Sequence, residues 1–584
     1  MIKYKITYQN PTRQYIPIEA IIPCGKEDEI ELQFPAWRPG RYELGNFAKN
    51  IHLFKVSDEK GKALNFIKTS KDSWKVSCKK VGNIKVSYSY YAAELNAGST
   101  FMDDRQIYVN PVNCLIYRKE LQDKPCELEL VLPDNFKLAC GASNDGRMIV
   151  TKNYHELVDS PFIGSASLQH HTYEVEGMIF NIWFQGDVHP DWNKITTDFE
   201  RFTRKQLEKF GNFRKKYTGF PADEYHFLYQ ILAVKAYHGV EHQTSTVIAL
   251  GPGADLMESI YDDFLGVSSH ELYHAWNIKS IRPAEMHPYD YSKENYSRLG
   301  YVAEGVTTYM GDLFLCESGV RDFRWYKKEL EKLLQRHFDN FGRFNYSVAE
   351  SSWDTWLDGY SAGAPNRKVS IYTEGALLSF VTDIKIRTNS NNKLSLHDVM
   401  RRMYEDFAKK DKGYTEADFE KIVTELAGED LRSYFASYYY GTHSFEPILT
   451  KAFEQIGLEI KMKENPSVSC DILGIKSLVS TGKTVVKQLY PGGSAELGGI
   501  MLEDEIVAVN GTAVAENLDH LVRFYAEKEL CLTLNRMGRL LDIICPNTNK
   551  SYFPAYELHK VKAPSNLQKR IFKSWSGHSW DEID

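Results

Sequence analysis

Hydrophobic and polar residues alternate with a period of two through much of the first 168 positions. The runs IKYKITY (2–8), DEIELQF (28–34), IKVSYSYYAAEL (84–95) and CELELVL (126–132) are separated by clusters of Pro, Gly, Asn and Asp. Such runs predict short strands joined by turns, and their succession predicts an antiparallel β-sandwich. Within this region lies FPAWRPGRYELGNFAKNI (34–51), whose Pro35, Pro39 and Gly40 force an irregular loop beside a strand.

From about residue 169 the period changes. Strand-like IFNIWFQG (179–186) and YHFLYQILAV (225–234) lead into segments of 3.6-residue periodicity at 196–216, 259–279, 296–317, 321–339 and 371–387. Residues 415–440 continue the helices and open on a capping signal, Thr415 with Asp418. A second β-rich stretch, 464–548, includes the helix-like NLDHLVRFYAEK, and a mixed tail follows at 549–584. A chain of 584 residues exceeds one core. The expectation is therefore a multidomain α+β protein: β-sandwich 1–168, α-rich domain 169–463, small β-rich domain 464–548 and tail 549–584.

Composition narrows the class. With 43% hydrophobic and 26% charged residues the chain reads as soluble and globular, and a net charge of −7 points to no nucleic-acid partner. The N-terminus lacks the apolar stretch of about 7–15 residues that a signal peptide needs, and no apolar run approaches the ~18 residues of a membrane span. The nine cysteines are scattered, with no CxxC pair, which predicts buried reduced thiols in a cytoplasmic protein.

The chemistry concentrates at His270-Glu271-Leu272-Tyr273-His274. On a helix, residues four apart share one face, so both imidazoles can reach one Zn²⁺ while Glu271 stands beside it as general base. A catalytic zinc needs a third protein ligand. Glu304 is the best candidate, because it is the one acid in an almost wholly apolar stretch, RLGYVAEGVTTYM, where an unpaired carboxylate is costly. The alternative for Glu304 is an ion pair with Arg298. Asn277, Thr308 and Asp312 are candidates to orient the histidines.

These residues resemble the glycyl aminopeptidase family of gluzincin metallopeptidases, with its thermolysin-like catalytic domain. The resemblance rests on His270-Glu271-x-x-His274-x-Trp276-Asn277 with Ile281-Arg282-Pro283, on Pro35-Ala36-Trp37-x-Pro39-Gly40-x-Tyr42, and on Gly239-Val240-Glu241-His242. Glu304-Gly305-x-Thr307-x-Tyr309 and Tyr372-x-x-Gly375-Ala376 complete it. It implies Glu304 as third zinc ligand, Glu241 (with Gly239 in the same substrate-binding stretch) as the grip on a free α-amino group, and Tyr372 as hydrogen-bond donor to the oxyanion. His238 departs from the family's pattern, which has glycine there, and so puts a preference for small N-terminal residues such as Gly or Ala in question.

Residues 464–548 resemble a PDZ domain, with Leu473-Gly474-Ile475 as its carboxylate-binding loop and Pro491–Ala495 and Leu502–Gly511 as its core. Edge-strand addition of a C-terminal peptide is the binding mode this implies. Three functions compete: a zinc aminopeptidase on peptide substrates, a zinc endopeptidase, and a PDZ-type peptide-binding scaffold with a vestigial zinc site. Glu241 separates the first two. Oligomeric state is left open.

Overall fold

In a computed structural model, residues 1–211, 219–361 and 363–583 are described. They form two compact units, residues 1–326 with 342–445 and 569–583, and residues 327–341 with 446–568.

The first unit begins with the β-rich domain. A six-stranded sheet runs in the order 148–151, 126–131, 2–7, 15–23, 83–91, 51–58. Alternation drives it: Ile2, Tyr4 and Ile6, then Ile16, Ile18, Ala20 and Ile22, are all buried. A three-stranded sheet (29–33, 73–77, 66–68) shares that core, with Phe54 stacked on Trp74 at 4.6 Å. The expectation of a purely antiparallel sandwich needs one correction, because Ile2–Thr7 pairs with Cys126–Val131 in parallel. No hairpin joins these distant strands, so nothing local dictates an antiparallel direction.

The loop after Gln33 is irregular to Asn46, and its backbone is fastened to the helical half of the unit. Ala36 N–H and Trp37 N–H both donate to Tyr291 O, at 2.8 and 3.1 Å. The Trp37 ring packs 5.6 Å from both Tyr289 and Trp356.

The helical half is built on a mixed five-stranded sheet, ordered 169–175, 178–185, 224–231, 245–251, 236–241. The last, Ala236–Glu241, is an antiparallel edge strand. Helices Trp192–Phe210 and Tyr261–His274 pack on the sheet, Thr307–Glu317 packs on both of them, and Ile371–Asn389 packs on Thr307–Glu317. The first was expected over 196–216, and residues 212–216 of that stretch lie outside the described residues. Tyr301–Val306, expected as ordinary α-helix, is a π-helical turn that runs into Thr307–Glu317. Thr415 and Asp418 do form a capping box, on helix Glu416–Ala427. Trp575 of the tail is buried here and donates from Nε1 to the Tyr309 hydroxyl at 2.8 Å.

The second unit holds a sheet of 475–480, 483–489, 505–509, 530–536 and 539–545 in that order, with helices Ser494–Gly498 and Leu518–Phe524. Its core gathers Val486, Ile506, Val522, Leu532 and Leu534. Strands Leu458–Lys463 and Ala555–Lys560 pair with each other.

Candidate active site

Helix Tyr261–His274 presents His270 and His274 on one face, and the π-helical turn brings Glu304 opposite them. The two Nε2 atoms are 3.0 Å apart. Glu304 Oε2 stands 3.5 Å from His274 Nε2 and 3.9 Å from His270 Nε2. Zinc bonds of about 2.0–2.1 Å in a tetrahedron place ligand atoms about 3.3 Å apart. The three donors therefore already outline one face of such a polyhedron. A π-helical turn inserts an extra residue into a helix and is common at functional sites; here it carries the acidic donor.

The surroundings fix His274 and Glu304. His274 Nδ1 donates to the main-chain carbonyl of Asn277 at 2.6 Å, which leaves Nε2 as the lone-pair nitrogen of the neutral ring. The Asn277 side chain donates to Val302 O at 2.8 Å and Thr307 Oγ1 at 3.0 Å. It thus ties the end of the histidine helix to the glutamate turn, through Thr307 rather than Thr308. Arg298 pairs with Glu416, at 3.5 Å, so Glu304 is left facing the histidines. Tyr42, from the loop of the β-rich domain, donates to Glu304 Oε1 at 3.1 Å.

Charge balance favours a cation. Glu241, Glu271 and His274 offer a second cluster of donor atoms within 4.8 Å of one another, so three buried carboxylates crowd two imidazoles. Burial lifts the Glu271 carboxyl to about 8, with Glu241 and Glu304 adding to the rise. Burial holds His270 down to about 3, with His274 beside it. At His274 burial opposes protonation, yet Glu304, Glu241 and Glu271 together raise it to about 10. A divalent ion would neutralise the carboxylate charge without requiring protons on both Glu271 and His274. The two-histidine, one-carboxylate set fits zinc better than the carboxylate-rich second cluster.

Glu271 accepts from Thr246 Oγ1 at 3.4 Å, and Thr246 lies opposite Glu241 in the edge-strand pair. A side-chain carbon on Gly239 would fall 2.1 Å from Glu271 Oε1, so the strand's closeness to that carboxylate requires glycine there. Gly239→Ala is expected to displace Glu271 and lower kcat by roughly tenfold or more with zinc content unchanged; unchanged kcat would show that the strand yields instead.

Tyr372 lies in the first turn of its helix, where Ser370 caps Thr373 N–H. Although 40% exposed, its phenol is raised well above the usual value, first by the enclosing walls and then by Glu304, Tyr360, Glu241 and Glu271. It is a protonated donor at neutral pH. Glu241 is buried, and the strand just beyond it is clamped from the β-rich domain. Asp159 Oδ1 pairs with Lys279 Nζ at 2.7 Å and His242 Nδ1 at 3.1 Å, and Asp159 Oδ2 accepts from Gln243 N–H at 2.9 Å.

Burial works to raise the Asp159 carboxyl, but Lys279 and His242 hold it well below the usual range. Its contribution to stability is therefore complete above the ordinary carboxylate range and is lost as pH falls below it. Asp159→Asn strands Lys279, whose side chain is 1% exposed, and is expected to cost about 3–5 kcal/mol in a denaturant titration; a loss under 1 kcal/mol would refute the buried-pair account.

Of the seven residues expected here, the structure gathers His270, His274, Glu304, Glu271 and Glu241 into two clusters that share His274, with Gly239 against Glu271 and Tyr372 in the field of the three carboxylates. Sequence reasoning missed Tyr42, Thr246, Asp159 and Lys279. Tyr42 alone carried a signal, being the last residue of the family-like loop motif.

Residues 3–166 match the Peptidase M61 N-terminal domain and residues 263–378 match the M61 glycyl aminopeptidase domain. No curated protein matches the chain. Among solved structures, an aminopeptidase N family protein from Idiomarina loihiensis is 25% identical with a TM-score of 0.88, covering 99% of this chain and 100% of that one. The M1 zinc metallopeptidase from Deinococcus radiodurans is 12% identical, with a TM-score of 0.46, over 76% of this chain and 94% of that one. A variant of it bound to a Tyr-Ser-Ala substrate is 11% identical, with a TM-score of 0.48 over the same shares. Likeness at that level carries no argument about chemistry. The two matched domains are those of the M61 glycyl aminopeptidase family, and with the overlay on the Idiomarina protein they mark this chain as a metallopeptidase.

Proposed function

We propose that the chain is a zinc aminopeptidase, removing single residues from the free N-termini of peptides. The observation that carries this reading is the placing of two acids, Glu271 and Glu241, beside the His270, His274 and Glu304 donor triangle. Zinc held by those three residues would supply a Lewis acid for the scissile carbonyl and for water.

The chain's own residues do the rest. Glu271 takes the proton of the attacking water and returns it to the leaving amine. The Tyr372 hydroxyl donates to the oxyanion without adding a charge. Glu241 accepts a charge-assisted bond from the α-ammonium, which restricts cleavage to the first residue.

The test is a panel of aminoacyl chromogenic substrates beside N-terminally blocked peptides. Hydrolysis of free-amino substrates only, abolished by a chelator, supports the reading; equal cleavage of blocked peptides would favour an endopeptidase.

For the second unit we propose peptide docking on its edge strand. Ile475–Ser480 ends the sheet and exposes Leu478 at 54% and Val479 at 43%, an unpaired apolar edge of the kind that accepts an added strand. Titration with labelled C-terminal peptides checks it, and no binding at millimolar peptide would leave the unit a structural role. No described helix is long and apolar enough to cross a membrane.

A further inference from the structure

The loop that delivers Tyr42 to Glu304 also delivers two arginines. Arg38 is only 3% exposed. Its Nη1 bonds just to the neighbouring Pro39 carbonyl, at 3.2 Å, and its Nη2 is buried without a partner. Among the described residues no carboxylate lies within ion-pair distance of it. The guanidinium lies against Gly98, where a side-chain carbon would come within 2.1 Å of Nη2. Arg41 lies 4.7 Å from the Tyr360 ring centroid; its Nη2 pairs with Glu43 at 2.5 Å, while its Nε is buried without a partner.

Between them, Gly40 abuts the amine-binding acid. A side-chain carbon there would be 2.6 Å from Glu241 Oε2. A buried guanidinium without a counter-ion is costly, and a planar carboxylate is its best complement.

We propose that Arg38, with Arg41 beside it, forms the subsite for the first residue of the substrate, and that this subsite takes the side-chain carboxylate of an N-terminal aspartate or glutamate. The inference rests on Glu241 holding the α-ammonium. The side chain of that same residue branches from the carbon bearing the ammonium, so it starts close to Glu241, against which the loop carrying Arg38 and Arg41 packs through Gly40. A glycine or alanine would leave the guanidinium as it stands, buried and unpaired; a carboxylate would satisfy it with paired N–H···O bonds. His238, from the edge strand, adds no opposing charge: burial chiefly, with Arg38 and Arg41, holds its imidazole down to about 4, so it is neutral at pH 7. A histidine and two arginines are poor company for a subsite meant to hold only hydrogen or methyl.

The competing account makes Arg38 a remote counter-charge for Glu241 and nothing more. The experiment measures kcat/KM of the zinc-loaded full chain on Asp-, Glu-, Ala- and Gly-p-nitroanilides at neutral pH and low salt. Acidic substrates are expected to exceed neutral ones by tenfold or more. Arg38→Gln should bring that ratio to one or below, and the exposed-side variant Arg41→Gln should lower it severalfold in a chain whose buried arginine is intact. Faster cleavage of Ala or Gly than of Asp and Glu by the wild type would overturn the proposal, as would an equal proportional loss on all four substrates in R38Q. If blocked peptides alone were cut, the aminopeptidase reading itself would fall, and this subsite with it.

Discussion

Replacing Glu271 by glutamine is expected to lower kcat about a thousandfold or more while the protein retains one equivalent of zinc. The magnitude follows from general acid–base catalysis, whose removal costs typically 10²–10⁴-fold, and from the double duty of this one carboxylate as acceptor and then donor. Zinc retention follows from geometry. The metal triangle is made by His270, His274 and Glu304, and glutamine is close to isosteric with the residue it replaces. Glutamine can still accept from Thr246, as Glu271 Oε2 does at 3.4 Å, so the local fold should hold. Metal analysis and steady-state kinetics on one preparation decide the matter; full turnover with bound zinc would remove Glu271 from the mechanism.

Chelation should abolish activity altogether and should also lower the unfolding temperature. The second effect is the more diagnostic. Without a cation, Glu304, Glu271 and Glu241 remain buried around two imidazoles, and only a strained protonation pattern, with Glu271 raised to about 8 and His274 to about 10, relieves them. A ligand that binds the native state alone adds RT ln(1 + [L]/Kd), about 4 kcal/mol at a free concentration a thousandfold above Kd. Calorimetry with and without chelator, followed by zinc add-back, reads both effects. An unfolding transition indifferent to chelator would mean that zinc does not bind at this triangle.

The features legible in the sequence were the local ones. His270 and His274 announce themselves by i, i+4 spacing, and Glu304 by being an acid on an apolar helix; both signals live within one turn of chain. The β-rich domain was readable because alternation such as Ile2, Tyr4, Ile6 needs no knowledge of partners. What could not be read depends on pairings set by the packed fold. Tyr42 and Glu304 are 262 positions apart, and Asp159 and Lys279 are 120 apart. The parallel register of Ile2–Thr7 on Cys126–Val131 and the π-helical turn at Tyr301–Val306 are likewise tertiary outcomes, since their local patterns are those of any strand and any helix.

The hydrogen bond from Tyr42 to Glu304 has a bearing on how such an enzyme can be rearranged, by engineering or by descent. The β-rich domain supplies the hydroxyl that steadies a metal-ligand candidate, the arginines beside Glu241 and the aspartate behind it. A catalytic half excised from this domain would be a scaffold with its wall removed rather than a minimal enzyme. Recombination between relatives should succeed only when the two domains travel together, so that selectivity for the first residue is inherited from the domain that carries no catalytic acid.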